Sequence, residues 1–202
     1  MYRPPAFAVD DVGALQAFIR AQPFATLAAI VDGAVQFAYA PVAIGADGTA
    51  RFHIARANPL AQLADGTAVR LSFLGAHAYV SPDWYEVPTR VPTWNYSAVE
   101  GQGALRKLDD EALHRLLVDL SALEEARLLP KKPWTIDKVP QERMAGLLNA
   151  IVGFCVRFET LEGKFKLSQN VTAEDFAGVL RGLDGRSDAR SAAVAQAMRK
   201  TR

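Results

Sequence analysis

The feature that most constrains this chain is the spacing of short apolar runs in its first hundred residues. Thr26 to Ile30, Val35 to Ala40 and Ala50 to Ile54 are apolar or alternating runs, separated by Asp32-Gly33 and Asp47-Gly48. An Asp-Gly pair is a hairpin signal because glycine reaches positive φ at little cost. Further strand candidates are Ala68 to Leu74, His77 to Val80 and Trp94 to Leu105, with a helical turn at Asn58 to Ala64. So many consecutive short strands predict a meandering antiparallel sheet. A sheet of that length removes its edges by closing into a barrel.

Helical patterns flank the strands. Asp10 and Asp11 precede Val12, Leu15, Phe18 and Ile19, which share one helical face, and Pro23 ends the run. Asp109-Asp110-Glu111 opens a second stripe of Leu113, Leu116, Leu117, Leu120 and Leu123. A Pro/Lys-rich loop then leads to a shorter helix around Glu142 to Asn149, and Ala150 to Leu161 returns to strand texture. Thr172 and Asp175 resemble a capping box before the stripe Phe176, Val179, Leu180 and Leu183. The alanine-rich tail from Ser187 is predicted as a frayed or partner-supported helix. Residues 1–202 therefore read as a single α+β domain, an antiparallel barrel decorated by helices, with a helical C-terminal portion.

Charge and composition exclude several function classes. Lys+Arg 23 against Asp+Glu 22 leaves a formal charge of +1, so the chain has no diffuse electrostatic grip on DNA or an anionic membrane. Cys155 is the single cysteine, and with three scattered histidines it forms no zinc cluster. No run reaches the ~18 apolar residues that span a bilayer, and the start lacks the build of a signal peptide. A cytoplasmic, non-membrane protein is the expectation. The Gly-x-Gly-x-x-Gly, Walker, Gly-x-Ser-x-Gly and His-Glu-x-x-His motifs are absent.

Three segments are denser in polar and aromatic groups than a barrel core needs. In Phe52-His53-Ile54-Ala55-Arg56-Ala57-Asn58-Pro59 a strand gives way to a helical turn. Arg56 there suits a phosphate clamp, and Asn58 reads equally as an N-cap before a first-turn proline. His53 suits a cofactor contact or a satisfied core histidine. The second segment runs from Ala76 through Tyr85 and resumes at Val91-Pro92-Thr93-Trp94-Asn95-Tyr96. Its aromatic faces beside hydroxyl and amide groups suit a planar heterocycle or a subunit interface. In the third, Glu162-Gly163-Lys164-Phe165-Lys166-Leu167-Ser168-Gln169-Asn170, an extended chain puts Lys164, Lys166 and Ser168 on one side, where they suit an anionic group.

Taken together, Ala55-Arg56-Ala57-Asn58-Pro59, His77-Ala78-Tyr79-Val80-Ser81-Pro82-x-Trp84-Tyr85, Val91 to Tyr96 and Leu161 to Asn170 resemble the PaiB-type family, called FMN-binding negative transcriptional regulators. The opening Met1-Tyr2-x-Pro4-x-x-Phe7 matches as well, and the resemblance runs to about residue 180. It implies a split β-barrel of the flavin-reductase or pyridoxamine-phosphate-oxidase type, paired as a homodimer with FMN in clefts between subunits. By the same resemblance, Arg56, Lys164, Lys166 and Ser168 are candidates for the phosphate, Trp94, Asn95 and Tyr96 for the ring and ribityl chain, Gln169 and Asn170 for either, and Asn58 for the cofactor without a stated part. It implies a regulator that acts through its ligand or a partner. An FMN-dependent oxidoreductase, and a catalytically silent or haem-binding split-barrel module, are the alternatives.

Overall fold

The computed structural model describes residues 1–87 and 89–202. Its strands are Ala8–Val9 (β1), Phe24–Val31 (β2), Ala34–Ile44 (β3), Thr49–Ala55 (β4), Ala68–Val80 (β5), Thr93–Lys107 (β6), Ile151–Arg157 (β7) and Thr160–Lys166 (β8). The helices are Val12–Ala21 (α1), Asp110–Ala126 (α2), Gln141–Asn149 (α3), Ala173–Asp184 (α4) and Ala189–Arg199 (α5). The strands hydrogen-bond in the order β1-β8-β6-β5-β2-β3-β4-β7, and β6 pairs also with β7. The fold is the antiparallel split barrel that the sequence pattern and the resemblance imply.

The chain divides into two compact units. The barrel unit comprises Gln16–Phe73 and Gly101–Leu161. Within it the strand order closes on itself, because Leu105 of β6 pairs with Val156 of β7. The Asp-Gly signal at 32–33 makes the tight turn between β2 and β3, where Asp32 has φ 51° and Gly33 φ 77°. Alternation fills the interior: Leu27, Val42, Phe52, Leu71, Leu105 and Phe154 are each at most 3% exposed, and Phe52 and Phe154 lie ring to ring at 5.9 Å. Outside, α2 lays Leu113, Leu116 and Leu120 over Ala43. On β2 and β3 several outward residues are apolar and exposed. Ile30 opposite Val35, and Phe37 and Tyr39 beside them, are 58–67% exposed.

The second unit comprises Met1–Leu15, Leu74–Glu100 and Glu162–Arg202. It contains β1, most of β8, and parts of β5 and β6, backed by α4 and α5. Ala78, Val80 and Leu167 pack with Phe176, Val179 and Leu183 of α4 and with Val194, Ala195 and Met198 of α5. Trp84 rests on α4 where Gly182 has no side chain; a Cβ there would sit 2.1 Å from the indole.

Three expectations change. The runs 68–74 and 77–80 form one strand, Ala68–Val80, because Gly75 stays extended and takes no positive φ that would turn the chain. The stretch Ala150 to Leu161 is two strands, broken at Phe158-Glu159, where Glu159 N donates to Gln102 O. The tail is not frayed: Asp188 caps α5 through Ser191 N, and Val194, Ala195 and Met198 are fully buried.

Candidate functional site

Residues 93–97 of β6 alternate in burial, so the sequence candidates on this strand divide between two environments. Trp94 is half exposed, whereas Asn95 is 1% exposed. The Trp94 indole stacks on His77 at 6.4 Å and 27°, and meets Tyr79 edge-on at 6.4 Å. Lys164 Nζ lies 5.3 Å from the ring centroids of both Tyr96 and Tyr2, an ammonium held over two π-faces. No carboxylate lies within ion-pair distance of Lys164 among the described residues. Trp94 and Tyr79 also wall a cleft of about 460 Å³ with Arg186, Arg190 and Ser191. There the Arg186 guanidinium, with the bonds from Ser191, holds the Asp188 carboxyl well below the usual carboxylate range.

A second cavity, of about 290 Å³, gathers Thr93, Asn95, Lys166 and Ser168 with Phe7 and Tyr85 on its walls. Asn95 Nδ2 donates to Ser168 Oγ at 2.9 Å and to Met198 Sδ at 3.5 Å. A thioether can only accept, so this contact fixes which end of the amide is nitrogen. Asn95 Oδ1 is then buried with no partner. Ser168 is 4% exposed and has φ 59°, in the left-handed region that side chains other than glycine seldom adopt. Burial raises the pKa of the Tyr85 hydroxyl, with Ser168 and Arg90 acting against it. Lys166 Nζ donates to Thr93 Oγ1, and burial, reinforced by Lys164, pushes its ammonium below the ordinary lysine value.

One wall of this cavity is tied down by a buried carboxylate. Asp175, completely buried on α4, accepts from Glu86 N at 2.9 Å and from Arg90 Nε and Nη2 at 3.2 and 2.7 Å. The Arg90 guanidinium holds the Asp175 carboxyl below its usual range. Sequence reasoning missed Arg90 and Asp175. Asp175 looks like an ordinary capping-box acid, and its partner lies 85 residues away.

Other expected residues have local employment. Gln169 Oε1 accepts from Leu167 N and its Nε2 donates to Phe165 O, so the amide staples its own turn. Asn170 lines the 290 Å³ cavity. Arg56 and Asn58 belong to the barrel unit. Arg56 donates to Asn149 O and Ile151 O, at the end of α3, and Asn58 Oδ1 accepts from Leu60 N as an N-cap. His53 Nδ1 is buried without a partner, and burial lowers its pKa.

A family model described as "Putative FMN-binding domain" matches residues 1–160. The chain is 29% identical to "Protease synthase and sporulation protein PAI 2" of Bacillus subtilis, over 98% of this chain and 96% of that protein. It is 30% identical to an uncharacterized protein of Aspergillus fumigatus, over 91% of each. Among solved structures it is similar to an FAD and heme binding protein of Mycobacterium smegmatis, with a TM-score of 0.61 and 17% identity, covering 84% of this chain and 78% of that one. A flavocytochrome of Azotobacter vinelandii gives a TM-score of 0.60 and 18% identity, covering 88% and 78%. At such identities the structural likeness establishes the split-barrel fold.

Proposed function

The chain belongs to the FMN-binding domain family, and from that premise we propose that it works as a flavin-binding homodimer whose regulatory role is exercised through its ligand or a partner. What carries the flavin reading is the open aromatic face of the second unit: the half-exposed Trp94 indole, the Tyr79 and Tyr96 rings, and the Lys164 ammonium with no carboxylate partner among the described residues. Aromatic faces suit a tricyclic ring, and an ammonium suits a phosphate. When bound, the flavin supplies electron transfer; the protein supplies the stacking surface and the charge. The resemblance also assigns Lys166 and Ser168 to the phosphate. They line the smaller cavity of about 290 Å³ with Asn95, while the flavin ring is read on the open face.

Dimerisation is supported by the uncovered apolar strip on β2 and β3, since monomers rarely expose such contiguous patches and two-fold pairing is the commonest cover. A net charge of +1 supports regulation through a ligand or partner over a direct hold on operator DNA.

Absorbance spectra and titrations test the reading. FMN is expected to bind about tenfold more tightly than riboflavin, as loss of one charge-assisted contact of ~1.5 kcal/mol implies. In Lys164→Ala the two flavins are expected to bind equally. Native protein that holds riboflavin as tightly as FMN, or shows no flavin bands after reconstitution, overturns it. Sedimentation at the mass of a single chain at micromolar concentration overturns the dimer.

A further inference from the structure

We infer that the outer face of the barrel carries a site for an aminodicarboxylate, a small molecule with two carboxylates and one ammonium. The inference does not rest on the flavin reading and shares no residue with it. The site is a cavity of about 520 Å³ on β4, β6 and β7, within the ~300–1,000 Å³ of small-molecule pockets. Strand alternation builds it. Phe154 and Val156 of β7 point inward and are fully buried, so Cys155 and Arg157 point outward. Cys155 pairs with Arg51 on β4 and with Arg106 on β6, and Arg157 pairs with Thr49. The outward face therefore carries two adjacent rows, Arg51–Cys155–Arg106 and Thr49–Arg157.

Which charges on that face are free decides what it can bind. Arg51 donates to Asp119 of α2 at 2.9 Å. Asp47 accepts from Thr49 N and Oγ1, and Asp65 accepts from Lys107 N. The Arg157 charge reaches Asp47 only from beyond ion-pair distance. Arg106, Arg157 and Glu159 all stand on the cavity wall, and among the described residues their side chains make no hydrogen bond and no ion pair. Two guanidiniums and one carboxylate are left over. Their complement is two carboxylates and one ammonium.

The spacing separates this ligand from a simple anion. Arg106 lies opposite Cys155, and Arg157 is two residues further along the same face. Such diagonal neighbours stand ~7–8 Å apart, which suits two separate carboxylates better than one compact phosphate. The Thr49 hydroxyl gives its hydrogen to Asp47 and keeps an acceptor lone pair for an ammonium. Ala104 and Phe158 supply apolar wall for a short carbon body. Burial pushes the half-buried Cys155 thiol above its ordinary value, so it is neutral at neutral pH and adds no charge.

The test uses the full chain in calorimetric titrations, with L-glutamate, glutarate, 4-aminobutyrate and inorganic phosphate as probes. Glutamate is expected to bind most tightly. Glutarate lacks the ammonium and 4-aminobutyrate lacks one carboxylate. Each is expected to bind about tenfold more weakly, one charge-assisted contact having been lost. Arg106→Gln and Arg157→Gln are changes at exposed positions. Each is expected to weaken glutamate about tenfold and to leave the melting temperature and the FMN titration as in the native protein. In Glu159→Gln, glutamate and glutarate are expected to bind equally. No heat from glutamate up to about ten millimolar overturns the proposal. Glutamate affinity that survives in the Arg106→Gln, Arg157→Gln double variant overturns it too, and puts the ligand elsewhere. Phosphate that binds as tightly as glutamate also overturns it and leaves a plain anion site. If FMN fails to bind the native protein while these glutamate results hold, the flavin reading fails and this one stands.

Discussion

The two units of this chain bury different kinds of residue. The fully buried polar or charged residues among those described, Asn95, Ser97, Ser168, Asp175 and Ser191, lie in the second unit, whereas the fully buried residues of the barrel unit are apolar and its buried polar atom is His53 Nδ1. A hydrocarbon interior is stabilised by area and packing alone and asks for no partner. Buried amides, hydroxyls and carboxylates stabilise only when each finds a partner. Asp175 has Arg90 and Glu86 N; Asn95 has half of what it needs. The barrel interior thus behaves as scaffold, and the second unit carries the flavin specificity.

Substitutions can break this contrast. The largest effect is expected from Phe52→Ala in the barrel: a loss of about 3–5 kcal/mol of stability by denaturant unfolding, the usual cost of emptying an aromatic core site, with flavin affinity per folded molecule unchanged. A flavin loss beyond the folded fraction breaks the division. Next, Asp175→Asn is expected to lower the melting temperature by several degrees at neutral pH and to flatten the acid limb. Because Arg90 depresses the folded pKa of Asp175 below its unfolded value of ~3.9, its contribution is complete above that pH and lost as pH falls through the folded pKa. Thermal melts from pH 7 downward check it; an unchanged acid limb rules it out.

Two smaller effects sharpen the contrast. Trp94→Ala removes a half-exposed ring, so about a tenfold loss of flavin affinity is expected with a melting temperature within a degree or two of native. Destabilisation of core size makes Trp94 a structural residue. Least of all, Gly33→Ala forces a side chain into φ 77° at the β2–β3 turn. It is expected to cost roughly 1–2 kcal/mol and to leave ligand titrations untouched.

The same contrast governs what the sequence reveals. Alternation and Asp-Gly pairs locate β2, β3 and β4 within a few residues, because a strand with one buried face writes period two into the chain. The capping residues Asn58, Asp109 and Thr172 are equally legible, since a cap and its N–H are two or three residues apart. The two-residue β1 has too little length to show a period. The site segments are visible as clusters of polar and aromatic residues. Their division is not: that Trp94 and Asn95 face opposite environments follows from strand alternation, but which neighbours each meets depends on Tyr79 and His77 on one side and on Ser168 and Met198 on the other. The tail misleads because small alanines and a buried Met198 give α5 a weak stripe, though it packs closely.

The second unit is assembled from three separate stretches of chain, and that has a kinetic side. The β2–β3 hairpin closes over a tight Asp-Gly turn, so its first contacts cost little loop entropy. The Asn95–Ser168 bond joins residues 73 apart, Arg90–Asp175 spans 85, and Asn95–Met198 spans 103. Contacts of that separation form late in folding. In pulse-labelled hydrogen exchange, amides of β2 and β3 should gain protection before those of α4 and α5, and the cavity around Asn95 should be among the last features to exist as the protein folds.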